Sequence, residues 1–144
     1  MSNIGIKFKR LRKEAILPSY AHSGDAGLDF YSCDNYIIKP GSRVIVNTGW
    51  SIELPKGYVS LIWDKSGLAA KRGLTVLGGV IEYTYRGEYG VILLNTSDET
   101  QEIKLGEKVA QLLIQPICTV DIEEVNELSE TSRGIGGFGS TGNK

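Results

Sequence analysis

The sequence predicts an all-β fold, a sandwich or jelly roll with one short helix. Apolar residues recur in short runs with a two-residue alternation, and these runs are rich in β-branched side chains. Gly, Pro and Asn bound them, residues that end strands and make turns. With 144 residues, the chain has the length of one domain with a real core, and no internal repeat or interdomain linker divides it.

Ile4, Ile6 and Phe8 alternate with Gly5, Lys7 and Lys9, the first strand pattern. Val44, Ile45 and Val46 open a second run that continues to Ile52 and Leu54. Pro55-Lys56-Gly57 then suits a tight turn, because proline presets φ and glycine accepts a positive φ. Val59, Leu61 and Trp63 alternate again. Ser66 to Gly73 breaks the pattern and reads as a short helix. Ser66 can cap its start, Leu68, Ala69 and Ala70 favour its interior, Lys71 and Arg72 suit its end, and Gly73 can stop it. Two turns do not persist alone in water, so the sheets must hold them. Val91 to Leu94 and Val109 to Ile117 are dense enough to be read as buried on both faces. The division is therefore a β domain over residues 1–128 and a glycine-rich flap over 129–144, since so many glycines make no stable strand or helix.

Composition excludes several function classes. A formal net charge of −1 gives no general pull toward nucleic acid, and no apolar run reaches the length of a membrane span. The beginning, MSNIGIKFKR, lacks the apolar stretch of a secretory signal, so no secretion is expected. Cys33 and Cys118 lie far apart, outside any CxxC pair, and read as small buried hydrophobes. His22 has no Cys or second His nearby, which leaves a zinc site or a Ser-His-Asp triad without support.

Three places can carry chemistry. Lys65-Ser66-Gly67 is either an ordinary helix start with a solvated lysine or a phosphate site, where free N–H groups join an ammonium and a hydroxyl. Arg133 to Gly142 is either a flexible tail or a flap. As a flap, its glycines approach a phosphate chain, Arg133 grips phosphate oxygens and Phe138 offers a face for a base. Asp25, Asp29 and Glu82 are either solvated charges or, on tight hairpins, a general base and a metal-holding acid.

Five segments, in order, resemble the five motifs of the trimeric dUTPase family. They are Asp25 to Tyr31, Lys65 to Ala69, Gly79 to Gly87, Gly106 to Leu112, and Arg133 to Gly142. The resemblance spans nearly the whole chain and implies a dUTPase-like jelly roll (β-clip) in a homotrimer, each site taking motifs from three subunits. It implies hydrolysis of dUTP to dUMP and pyrophosphate with Mg²⁺, by water attack on the α-phosphorus. Such an activity keeps uracil out of DNA and supplies dUMP for thymidylate synthesis, in the cytoplasm of a bacterium or of a viral host. Its implied partners are dUTP and two further copies of the chain, with neither nucleic acid nor membrane.

The same resemblance implies the roles. Asp29 and Gln111 hold Mg²⁺ through water, and Lys65, Ser66, Gly67 and Arg133 contact phosphates. Main-chain groups around Gly79, Val80 and Ile81 read the uracil edge. Tyr85 packs under the deoxyribose and Phe138 stacks on uracil. Gly134, Gly136, Gly137, Gly139, Ser140 and Thr141 form the flap, and Glu82 orients and deprotonates the attacking water.

Two residues depart from the family pattern. Asp64-Lys65 stands where Pro-Arg is usual, and Glu82 stands where Asp is usual. The second departure admits a nucleotide-binding regulatory protein with weak catalysis. A dCTP deaminase of the same superfamily requires a further glutamate in Gly90 to Asn95, and that segment has no acid.

Overall fold

A computed structural model describes residues 3–143. Eleven strands and one helix follow in order: β1 (Lys7–Arg10), β2 (Leu28–Tyr31), β3 (Tyr36–Ile38), β4 (Arg43–Asn47), β5 (Trp50–Glu53), β6 (Tyr58–Trp63), α1 (Ser66–Arg72), β7 (Leu74–Leu77), β8 (Val80–Glu82), β9 (Gly90–Asn95), β10 (Gln101–Ile103) and β11 (Lys108–Pro116). The expected all-β jelly roll with one short helix is the observed fold. All pairings are antiparallel, in four small sheets ordered β2-β11-β6-β8, β4-β9-β7, β1-β5 and β10-β3. Phe30, Ile38, Val46, Ile52, Tyr89, Val91, Ile103 and Leu112 fill one core between them.

Several local expectations are corrected. The first strand begins at Lys7, leaving Ile4 and Ile6 outside it. The run from Val44 to Leu54 is two strands, because Gly49 takes φ 80° and its position lies against Ala15, where an added Cβ would sit 2.5 Å from the Ala15 Cβ. In β9, Val91, Leu93 and Asn95 are buried while Ile92 and Leu94 are only half-buried, so the strand has one core face rather than two. β11 buries the adjacent Val109 and Ala110, and Leu112, while Leu113 and Ile114 are half-buried and Ile117 lies beyond its end, exposed. The helix is capped by Lys65 rather than Ser66, with no side-chain capping bond; its C-cap Gly73 is left-handed at φ 64°. Cys33 is buried as expected, whereas Cys118 is exposed, because it follows the last strand.

Buried polar groups tie the layers together. The Ser60 and Tyr89 hydroxyls are 2.7 Å apart in the core, where burial pushes the Tyr89 pKa up. The Asn95 amide donates to the Ile38 and Glu99 carbonyls and its oxygen accepts from Ser97, which fixes the loop at residues 97–99. Among the described residues no buried side-chain nitrogen or oxygen lacks a partner, as a stable interior requires. No helix among the described residues is long and apolar enough to cross a membrane.

Candidate active site

Two neighbouring strands bring Asp29 and Gln111 together. β2 and β11 pair with Asp29 opposite Gln111, and β11 in turn sets Gln111 opposite Trp63 on β6. The Gln111 amide nitrogen donates to the Asp64 carbonyl at 2.8 Å, so its oxygen turns toward Gly27. A Cβ at Gly27 would lie 2.4 Å from that oxygen, so only glycine leaves the glutamine its place. Asp64, one of the departures from the family pattern, has a structural use: its carboxylate accepts from the Thr75 hydroxyl at 2.6 Å and the Val76 amide at 2.7 Å. It thereby joins the end of β6 to β7.

Asp29 is buried, at 4% exposure, and holds two cations. Lys65 donates to Oδ1 at 2.5 Å, and Lys108 lies 2.9 Å from Oδ2. Burial pushes the Asp29 pKa up, but the hydrogen bonds from Lys65 and Lys108 outweigh it and hold the carboxyl below its ordinary value. Asp29 is thus a permanent anion at neutral pH. Lys108 had no role assigned from sequence, since its register opposite Tyr31 follows from a bulge in β11 that no local pattern marks. Asp25, by contrast, accepts from the His22 amide at 2.9 Å and closes a turn, an ordinary local use.

An oxygen-donor pair of a carboxylate and an amide suits a hard divalent cation bound partly through water. No cluster of three or more His, Cys, Asp or Glu side chains able to cage a metal occurs among the described residues.

The hairpin around β8 forms a second half-site. Gly78 and Gly79 take φ 70° and 98°, and a Cβ on Gly79 would lie 2.6 Å from the Ile62 carbonyl. β8 pairs with β6 on one side only, so its other main-chain edge is open. That edge borders a groove of about 420 Å³ lined by Gly79, Val80, Ile81, Glu82, Tyr85 and Glu88 among others. This volume is within the range of small-ligand pockets. The Tyr85 hydroxyl donates to the Glu88 carbonyl at 3.0 Å, and its ring covers Gly87 so closely that a Cβ there would sit 2.3 Å from the hydroxyl. Tyr85 thus forms part of the wall of this groove. Glu88 is held in turn by a two-pronged bond from Arg12 and by the Gly49 amide.

The two half-sites are far apart within one chain. Asp29 and Glu82 are separated by three strand spacings across β2-β11-β6-β8 and by the four residues from Trp63 to Val59 along β6, or about 19 Å over the sheet. Ser66 and Gly67 open α1 beside Lys65 and stay with the Asp29 half. Residues 117–143, after β11, make neither strand nor helix. Among the described residues Arg133 bonds only within this segment, to the Gly136 carbonyl at 2.8 Å, and Phe138 is fully exposed with φ 49°. One chain therefore does not gather Asp29, Glu82, Arg133 and Phe138 around a common point.

A family model described as dUTPase matches residues 13–142. A deoxyuridine 5'-triphosphate nucleotidohydrolase of Clostridium tetani is 49% identical over 99% of both chains. One from Hydrogenobaculum is 51% identical over 94% of this chain and 96% of the relative. Among solved structures, the dUTPase of Staphylococcus bacteriophage 80alpha with dUPNHPP superposes with a TM-score of 0.91 at 29% identity, covering 98% of this chain and all of that one. A dUTPase from phage phi11 of S. aureus, described with a structural Mg(II) ion, superposes at 0.82 and 25% identity, covering 88% of this chain and all of that one.

Proposed function

Because the chain belongs to the dUTPase family, we infer that it hydrolyses dUTP to dUMP and pyrophosphate. The carrying observation is the separation of about 19 Å between Asp29 and Glu82, too great for both to serve one α-phosphate from one chain. A symmetric assembly resolves this, with the Glu82 hairpin of one copy facing the Asp29 half of the next. The exposed apolar residues of the C-terminal segment, Val120, Ile122 and Leu128, suit packing on a neighbouring copy. We therefore read the active unit as a homotrimer with three composite sites, in the cytoplasm with the nucleotide pool.

Within each site the residues divide the work. The open edge of β8 at Val80 offers a main-chain donor and acceptor to the uracil edge, while Gly79 and Ile81 hold the hairpin to β6 through their own carbonyls. Lys65, Ser66 and the amide of Gly67 bind phosphate oxygens, with Arg133 closing from the flap and Phe138 covering the base. Gly134, Gly136, Gly137, Gly139, Ser140 and Thr141 give the flap its freedom to follow the phosphate chain. Asp29 and Gln111 are the residues that would hold Mg²⁺ through water, and the ion would offset charge on the phosphates as pyrophosphate leaves. Glu82 orients the attacking water and takes its proton, the carboxylate acting as general base. The direct test combines product analysis with solution mass. dUTP incubated with Mg²⁺ should yield dUMP and pyrophosphate, dCTP should not be deaminated, and the particle should contain three chains. A monomer with full turnover would refute the composite site.

Tyr85 sets the preference for deoxyribose. Its hydroxyl is tied to the Glu88 carbonyl and its ring lies against Gly87, where it would stand in the way of a 2′-hydroxyl. Tyr85→Ala is expected to narrow the dUTP-to-UTP ratio of kcat/KM by about tenfold or more, the order of a lost steric or apolar discrimination. An unchanged ratio would remove this role.

A further inference from the structure

Asp29 satisfies both of its carboxylate oxygens with ammonium groups that arrive from different elements. Lys65 comes from the cap of α1 and Lys108 from the start of β11. We propose that Lys65 is an exchangeable counter-ion. In the nucleotide-free protein it occupies Asp29 Oδ1 in place of a hydrated divalent cation, and it passes to the phosphate chain when cation and nucleotide arrive together. Lys108 stays on Oδ2 and is a positioning residue for the carboxylate.

The argument is one of charge compensation. A carboxylate as buried as Asp29 is costly to leave unpaired. With Lys108 still paired to Oδ2, Lys65 leaves Oδ1 most readily when another cation takes its place there, and a cation settles there most readily when Lys65 has somewhere to go. A triphosphate supplies that destination beside Ser66. Lysine suits such a transfer, because its ammonium is a compact charge on a flexible stem with rotatable donors, whereas a guanidinium fork is fixed in orientation. The Lys65 backbone is extended, at φ −85° and ψ 123°, and its side chain makes no capping bond, so the exchange leaves the helix intact. Lys108 reaches Asp29 from a strand position opposite Tyr31, at the start of β11 and away from the opening of α1. The consequence is cooperativity: cation alone binds weakly, nucleotide alone binds weakly, and each strengthens the other.

This inference rests on the assignment of Asp29 to the cation, and its test does not use turnover. Mn²⁺ alone, without nucleotide, is titrated into the full-length protein and followed by electron paramagnetic resonance. Lys65→Met is expected to bind Mn²⁺ about tenfold tighter than the unchanged protein, since a competing positive charge within contact distance is gone. Lys65→Gln should do the same, and a gain of affinity cannot arise from unfolding. The gain should vanish in Lys65→Met combined with Asp29→Asn, which places the ion at Asp29. Lys108→Met should give a clearly smaller gain, because it leaves Lys65 on Oδ1. Equal Mn²⁺ affinity in Lys65→Met and the unchanged protein would overturn the proposal, as would a gain that survives loss of Asp29 or one matched by Lys108→Met. Hydrolysis of dUTP by the unchanged protein is measured separately, so failure of the exchange leaves the family reading standing.

Discussion

Truncation after Glu130 is expected to leave folding and assembly nearly intact while removing most of the turnover. The hydrogen bonds made by the described residues of this segment stay inside it, such as the Gly136 amide to the Arg133 carbonyl and the Gly142 amide to the Gly139 carbonyl. Ile135 and Phe138 are fully exposed, so no core contact is lost with them. Thermal midpoint and particle mass should therefore change little. Turnover should fall roughly a thousandfold or more, the order seen when an arginine that stabilises a transferring phosphoryl group is withdrawn. Arg133→Ala in the full chain should reproduce much of that loss, and Phe138→Ala should act more on KM. A truncated protein with normal hydrolysis would show that the tail is only a tail.

Local signals made much of the fold legible. Pro55-Lys56-Gly57 does turn the chain with Gly57 at φ 93°, and Lys71, Arg72 and Gly73 do end a helix. What failed were readings that depend on the third dimension. The break at Gly49 comes from Ala15 pressing on it, a contact across the fold that no neighbour in sequence announces. Burial of β9 on one face alone reflects which sheet lies opposite, and apolar density does not carry that. At the site, Asp29 and Gln111 were legible as motif residues, yet their pairing in register and the second lysine on Asp29 required the β2–β11 ladder. The separation of Asp29 from Glu82 was equally invisible in sequence order, because it accumulates across four strands that are not consecutive.

A comparably large effect is expected at Glu82. It ends β8 on the rim of the groove, exposed, with its carbonyl held by the Tyr85 amide at 3.1 Å. The backbone thus fixes where the side chain starts, and its length decides where the carboxylate falls. Glu82→Gln preserves that length and removes only the base. Turnover should drop by about a hundred- to ten-thousandfold, the range of general-base catalysis, while a non-hydrolysable dUTP analogue still binds with little change. Because a neutral amide cannot take the proton, full activity in this variant would end the assignment. Glu82→Asp separates two histories of the same site. The carboxylate then withdraws by one methylene, and a misplacement of about 1 Å can cost on the order of a hundredfold. A site adjusted to glutamate should slow accordingly, whereas a site still shaped for the shorter acid should speed up. Either outcome keeps the water at this carboxylate, and the sign of the change reports which side chain the opposing residues were fitted to.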